Sequence, residues 1–173
     1  MRGRKNVCSV GDFLLHVHLI CIGKLKESWL SDAVAEYSKR LKSYCTLTVH
    51  QLAECRAPEN LSSAQIQTVL QTEGRSILSA LPKKGWVCTL CIEGKQKSSE
   101  ELSQTISQLA TQGVSDLSFV IGGSWGLSDE VKQRCDLRLS MSRMTFPHQL
   151  ARVMLLEQLY RAFQIDSGGK YHK

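Results

Sequence analysis

The sequence lacks several features that would place it in a specialised class of protein. It has no repeated or low-complexity segment, and its hydrophobic fraction of 42% and charged fraction of 22% are ordinary, so a folded domain is expected. The apolar run near the N-terminus spans only about nine residues, interrupted by His16 and His18, too few for a membrane span and poor as a signal-peptide core. We expect a soluble, cytoplasmic protein with no membrane partner.

The cysteines and histidines do not indicate a disulfide framework or a metal site. Seven cysteines are an odd number, and most lie within apolar runs, which suits a reducing cytosol. Cys88 and Cys91 have the spacing of a metal or redox motif, but they lie in the strand-like run 86–92, where residues three apart point to opposite faces. His16 and His18 share a face of the first predicted strand without an evident third ligand. A surface or crevice position is favoured for them, and no metal is expected.

The charge balance favours a polyanionic partner. The net charge is +6 and the pI is near 9.0, and clustered cations gain affinity for phosphate chains through counterion release. Charge alone is weak evidence, because many basic proteins bind no nucleic acid. The residues expected to contact phosphates are Lys24, Lys26, Lys39, Arg40 and Lys42.

Apolar periodicity predicts five strands that alternate with five helices. The strands are predicted at 14–22, 45–50, 86–92, 117–121 and 137–140, and the helices from residue 28 and over 62–80, 98–110, 128–134 and 147–163. Glu93-Gly94-Lys95 is interpreted as a turn. This order predicts an α/β fold with a largely parallel sheet. Residues 1–13 show no periodicity, so we expect a poorly ordered extension followed by a single domain over 14–173.

The last predicted helix is apolar around most of its circumference. Such a helix must be buried on more than one side. It therefore either lies at the centre of the domain or meets another chain, and homodimerisation through it is a hypothesis.

Two segments that follow strands, 119–127 and 139–148, carry the candidate ligand-binding residues. Gly122, Gly123 and Gly126 allow a ligand to approach the backbone closely. Their spacing differs from the dinucleotide pattern G-x-G-x-x-G, and no suitable acidic residue follows, so a dinucleotide site is disfavoured. In the second segment, hydroxyl groups and Arg143 could bind a phosphate or carboxylate. Spacing alone leaves a ligand site and a simple turn both open.

These segments, with others along the chain, resemble the RlmH family of ribosomal RNA methyltransferases, in the SPOUT superfamily. The similar stretches are 20–26, 35–41, 119–127, 139–152, 156–162 and the terminal Tyr171-His172-Lys173, so the resemblance extends over 14–173. It implies a SPOUT α/β fold with a C-terminal trefoil knot. It also implies a homodimer that transfers methyl from S-adenosylmethionine to N3 of a pseudouridine in the 23S rRNA of the assembled ribosome.

The resemblance also implies roles for individual residues. The residues implied for S-adenosylmethionine binding are Leu90, Gly123, Ser142, Arg143, Met144, Thr145, Phe146 and Pro147. For catalysis, His172 is the candidate base, Tyr171 could stack or hydrogen-bond, and Arg152 could stabilise the developing anion or bind phosphate, as could Arg161 or Lys173.

Some functions stay open at the level of sequence. Trp125 occupies a variable position of the Gly-rich turn, either as a surface aromatic or as a stacking platform for RNA or a partner chain. The alternative functions are a non-catalytic ribosome-binding or RNA-binding module, and a SPOUT methyltransferase with another RNA target such as tRNA.

Overall fold

The computed structural model describes residues 15–56, 58 and 60–169. Five strands alternate with five helices in this part of the chain: β1 His16–Ile22, α1 Ser28–Leu41, β2 Thr46–Leu52, α2 Ser63–Ala80, β3 Trp86–Gln96, α3 Ser99–Thr111, β4 Asp116–Ile121, α4 Asp129–Arg134, β5 Leu137–Ser140 and α5 His148–Asp166. The predicted extension 1–13 and the terminal Tyr171-His172-Lys173 lie outside the described residues.

The strands form one sheet in the order β2-β1-β4-β3-β5, and every strand pair is parallel. Parallel neighbours require crossover connections, which the helices provide. The α/β fold with a largely parallel sheet, predicted from the sequence, is therefore confirmed. The trefoil knot stays a prediction.

Both faces of the sheet are covered by helices. Alternate strand residues such as Leu19 and Phe119 join a buried cluster with side chains of α1, α3 and α5. The intervening residues, such as Ile20 and Val120, pack with Ile77 of α2 and Val131 of α4. Burial on both faces explains why the central strands are nearly continuous apolar runs.

The helix starts follow the side-chain caps that the sequence indicates. The Ser98 hydroxyl accepts the N–H of Glu101, and the Glu101 carboxylate accepts the N–H of Ser98, so the predicted capping box is present. Ser128 caps α4 as predicted, by accepting the N–H of Val131. No helix in the described ranges is long and apolar enough to cross a membrane.

Helix α5 is central to the domain, one of the two positions that its composition allows. It packs against α1, α3 and β4, and Leu155, Leu156 and Leu159 are fully buried. It begins at His148, one residue later than predicted, because Pro147 is the N-cap residue.

The predicted turn at 93–95 is wrong, because β3 continues to Gln96. Leu139 of β5 pairs with both Leu90 and Lys95, and the residues between them bulge out of register. Gly94 makes this possible, since a Cβ there would lie only 2.6 to 2.8 Å from backbone atoms of β5. Glu-Gly-Lys has the local character of a turn, but pairing with a distant strand overrides that preference.

Cys88 and Cys91 lie on opposite faces of the sheet, as predicted. Cys88 belongs to the cluster on the α5 side, whereas Cys91 packs against the cluster on the α2 side. Burial raises the pKa of both thiols. Neither is therefore prepared as a thiolate for metal or redox chemistry.

The two histidines of β1 occupy different environments. His16 is exposed, while His18 is partly buried, with Nδ1 3.3 Å from Nε2 of His50 and Nε2 3.1 Å from Oδ1 of Asp116. Burial, and then the neighbouring His18, lowers the pKa of His50. In the part of the chain that the structure describes, no group of three His, Cys, Asp or Glu side chains is placed to hold a metal ion.

Candidate functional site

A cleft of about 660 Å³ opens at the carboxyl ends of β4 and β5, beside the middle of β3. Its walls are residues 90–92 of β3, residues 121–126 after β4 and residues 139–142 and 144–148 after β5, with Ala151 of α5. Ligands of open parallel sheets bind at this edge, and the volume is that of a small-molecule site. The two segments selected from the sequence therefore meet as two walls of one cleft.

The Gly-rich turn after β4 is folded back on itself. The N–H of Gly126 donates to the carbonyl of Gly123 over 3.1 Å, and Gly126 has a φ of +90°, where a side chain would be strained. A Cβ at Gly122 would lie 2.6 Å from the carbonyl carbon of Gly126. This wall of the cleft thus needs glycine for its shape.

Two carboxylates support the Gly-rich turn from behind. Glu73 of α2 is 4% exposed; its Oε1 accepts the N–H of Cys55 over 3.0 Å, and its Oε2 has no hydrogen-bond partner among the described residues. A Cβ at Gly123 would lie 2.9 Å from that oxygen. Glu54 accepts the hydroxyl of Ser124 over 3.3 Å. Burial raises the pKa of Glu73, against the lowering effect of the Cys55 N–H.

The wall after β5 is shaped by its own hydroxyl groups. Ser140 donates to the carbonyl of Ser142 over 2.9 Å, and the Ser142 hydroxyl accepts the N–H of Met144 over 3.0 Å. Both of these hydrogen bonds are formed between residues of the loop itself and the end of β5. Such local side-chain bonds are typical of turns.

The structure brings most of the residues predicted for S-adenosylmethionine binding together. Seven of the eight line the cleft: Leu90, Gly123, Ser142, Met144, Thr145, Phe146 and Pro147. Arg143 is exposed and is not among the lining residues. The candidate catalytic residues Tyr171 and His172 lie outside the described residues.

Arg152 is a buried cation next in sequence to Ala151, which lines the cleft. It is 1% exposed and does not line the cleft. Its Nη2 donates to the carbonyl of Ile22 at the end of β1, while Nε and Nη1 have no partner among the described residues. A guanidinium is rarely buried with so few hydrogen bonds, because its desolvation is costly.

His148 lines the cleft and was not selected from the sequence. It is the first residue of α5, and burial, followed by the charge of Arg152, lowers its pKa. Both effects favour the neutral imidazole. Its position at the end of the ligand-binding segment 139–148, directly after Pro147, was the available signal.

Comparison with known proteins gives consistent results. A family model described as "Predicted SPOUT methyltransferase" matches residues 15–172. The "Ribosomal RNA large subunit methyltransferase H" of Bacillus pumilus (strain SAFR-032) is 51% identical over 159 residues, which cover 92% of this chain and 100% of the relative. The protein of the same name from Clostridioides difficile (strain 630) is 48% identical with the same coverage.

The fold is also shared with solved structures. A structure titled "Crystal Structure of Probable Methyltransferase from Bordetella pertussis Tohama I" has a TM-score of 0.55 and 13% identity, covering 86% of this chain and 96% of that one. This likeness concerns the fold alone, whereas the family model and the relatives concern nearly the whole sequence. The chain belongs to the SPOUT methyltransferase family.

Proposed function

We propose that the chain methylates large-subunit ribosomal RNA with S-adenosylmethionine as methyl donor, and that the acceptor is N3 of a pseudouridine in 23S rRNA. The observation that carries the proposal is the convergence of the predicted donor-binding residues on one cleft. The similarity to ribosomal RNA large subunit methyltransferases supports the acceptor class. A ribosomal acceptor also implies a cytoplasmic location.

The cleft fits a donor with a flat apolar part and a polar tail. Leu90, Phe146 and Pro147 supply apolar surface, and the turn after β4 keeps its shape because a Cβ at Gly122 or Gly123 would collide with Gly126 or Glu73. When bound, S-adenosylmethionine supplies the electrophilic methyl group. The chain's own residues then have to hold the donor, orient the acceptor and manage one proton.

The proton of the acceptor is the main chemical obstacle. An imide N3–H is a poor nucleophile until it is deprotonated, so a base or a positive field is needed. We propose His172 as the base and Tyr171 as the side chain that stacks on or hydrogen-bonds to the acceptor. Arg152, which is buried and whose charge, after burial, helps to lower the pKa of His148, is proposed as a positioning residue that favours an anion in the cleft.

Replacement of His172 by alanine is expected to lower methyl transfer far more than donor binding. A general base typically contributes about 100- to 10,000-fold to the rate, and the donor-binding residues are separate from it. Single-turnover methyl transfer and calorimetric titration with S-adenosylmethionine measure the two effects. Unchanged turnover on ribosomes would reject His172 as the base.

We propose a homodimer formed through the outer side of α5. Leu150, Val153 and Met154 lie on one side of that helix and stay only half-buried in the single chain, so a second copy would remove them from water. Light scattering during size exclusion tests this proposal. A monomer at micromolar concentration would contradict it.

The residues predicted to contact phosphates lie in two groups, at opposite ends of the strands. Lys24 and Lys26 follow the carboxyl end of β1, and the N–H of Lys26 donates to the Gln149 side chain at the start of α5 over 3.0 Å. Lys39, Arg40 and Lys42 lie at the far end of α1, and Arg40 pairs with Glu36 over 2.8 Å. The first pair is therefore nearer to the cleft.

Ribosome affinity is expected to fall as salt rises, and the double variant Lys24→Gln/Lys26→Gln is expected to bind less tightly with a shallower salt dependence. Each lost phosphate contact reduces the slope of log affinity against log salt by about one. Filter binding over a salt series measures this. The matched control is Lys83→Gln/Lys84→Gln, an exposed pair before the amino end of β3. Equal slopes for both double variants would contradict the assignment.

Two measurements test the proposed function against its alternatives. Calorimetry with S-adenosylmethionine comes first, and incorporation of labelled methyl into large ribosomal subunits, free rRNA and tRNA follows. Donor binding with incorporation into the subunit supports the proposal. Subunit binding without donor binding or incorporation indicates a non-catalytic ribosome-binding module, and incorporation only into tRNA indicates another RNA target.

A further inference from the structure

Large hydrophobic side chains that stay exposed gather at the mouth of the cleft. In the described ranges four such side chains are exposed: Trp29 at 58%, Ile92 at 67%, Trp125 at 42% and Met144 at 72%. Ile92, Trp125 and Met144 all line the cleft, and we call these three side chains the apolar rim. Single exposed hydrophobics need no explanation, but convergence of three of four around one opening indicates a binding surface.

We propose that Trp125 is a stacking platform for one unstacked nucleobase of the RNA acceptor, which the apolar rim holds at the mouth of the cleft. This inference rests on the proposed function and adds the residue that captures the base. The residues predicted for the donor include neither Trp125 nor Ile92, so the rim offers apolar surface beyond the predicted donor contacts.

Trp125 lies in a turn that hydrogen bonds hold in place. Trp125 lies between Ser124, whose hydroxyl donates to Glu54 over 3.3 Å, and Gly126, whose N–H donates to Gly123 over 3.1 Å. Gly123 and Gly126 also form an isolated antiparallel bridge. Because the turn is tied on both sides of Trp125, little conformational entropy is lost when a base stacks on the ring.

The rim has charges of both signs beside it: the exposed carboxylate of Glu54 contacts Ser124, next to Trp125, and an arginine lies next to Met144. Arg143, next to Met144, is exposed and makes no ion pair among the described residues. Near Ile92, the carboxylate of Glu93 is neutralised by Lys132 at 2.7 Å. The apolar rim and the Arg143 guanidinium together suit a nucleotide. The nucleobase would stack on the rim, and the guanidinium would bind the phosphate.

The size of the rim favours a single base over a second protein. A stable protein interface buries about 800 Å² on each partner and draws on about 20 to 30 residues. Three side chains supply much less, whereas one aromatic face is enough to hold an unpaired base. A second copy of the chain is therefore treated as an outcome of the test.

The test compares Trp125→Ala and Trp125→Phe with Trp29→Ala, which removes an exposed tryptophan on α1 that does not line the cleft. Trp125→Ala is expected to raise the KM for large ribosomal subunits by about 10-fold, with the Kd for S-adenosylmethionine unchanged within about twofold. Trp125→Phe keeps an aromatic face and is expected to retain most of the affinity. Trp29→Ala is expected to behave as wild type.

Three results for Trp125→Ala would overturn the inference. They are an unchanged KM for large ribosomal subunits, a Kd for S-adenosylmethionine that rises as much as this KM, and a change from dimer to monomer in light scattering. The last would assign the platform to a partner chain. A second readout separates this inference from the proposed function, since the chain has only 3 tryptophans. Quenching of tryptophan fluorescence by a short oligouridylate at low salt is expected to be lost in Trp125→Phe and kept in Trp29→Phe.

If wild-type protein methylates no RNA, the proposed function fails and the quenching result alone decides the inference. Loss of quenching in Trp125→Phe, with quenching retained in Trp29→Phe, supports the stacking platform. Equal quenching in the two variants, or none in the wild type, overturns it.

Discussion

Replacement of Gly122 by alanine is expected to weaken S-adenosylmethionine binding by about 10- to 100-fold. The added Cβ would lie 2.6 Å from the carbonyl carbon of Gly126 and 3.1 Å from Cδ2 of Leu127. The first of these is a backbone atom, so the turn itself has to move. Because the turn forms one wall of the cleft, its displacement changes the donor site directly. Calorimetric titration of the variant with S-adenosylmethionine measures the loss.

The matched control is Gly113→Ala, since Gly113 lies in open space with a φ of +81°. That substitution is expected to destabilise the protein by about 1 kcal/mol through backbone strain alone, and to leave the Kd for S-adenosylmethionine unchanged. A wild-type Kd in Gly122→Ala would show that the Gly-rich turn does not bind the donor. Circular dichroism of each variant establishes that it is folded.

Replacement of Arg152 by methionine is expected to lower methyl transfer by about 100-fold, the scale of losing one electrostatic contribution to a developing anion. The same change is expected to leave the free energy of unfolding unchanged or raise it. Losing the hydrogen bond to the Ile22 carbonyl costs about 1 to 3 kcal/mol, whereas burying a poorly paired guanidinium costs several kcal/mol. The relief of the guanidinium's burial cost is larger than the loss of this hydrogen bond, and a methionine side chain fills a similar volume.

A third readout separates an electrostatic role of Arg152 from a packing role. Burial and, after it, the charge of Arg152 lower the pKa of His148. Removing that charge in Arg152→Met is therefore expected to raise this pKa, which an NMR titration of the imidazole measures. Arg134→Met, on the exposed surface of α4, is the control and is expected to change neither activity nor the His148 pKa. Loss of stability with activity and the His148 pKa intact would make Arg152 a packing residue only.

Local sequence patterns predict the elements of this fold well. Burial on both faces fits the mostly apolar sequence of β4, and the capping box of Ser98 and Glu101 marks the start of α3. The extension of β3 was missed because Gly94 has a turn-like neighbourhood, while its pairing partner Leu139 lies on a different strand. Pairing between distant segments leaves no local signal.

The sequence predicts the loops of the candidate site but not the buried side chains around them, whose positions depend on contacts between distant segments. The two ligand-binding segments contain recognisable glycines and hydroxyls, and they meet because parallel strands end at the same edge. Glu73 was missed because its position behind Gly123 depends on how α2 packs. Arg152 was expected to reach the substrate directly, but a fully buried arginine runs against the usual distribution of charged residues.

The activity that we propose for this chain is methylation of one pseudouridine of the large ribosomal subunit. The most direct measurement is mass spectrometric mapping of 23S rRNA from a strain that lacks this protein, before and after its large subunits are incubated with the purified chain and S-adenosylmethionine. We predict that one pseudouridine lacks a methyl group in the untreated rRNA and gains it at N3 after incubation. Identical rRNA before and after incubation, or a new methyl group only at some other kind of nucleotide, would contradict the claim.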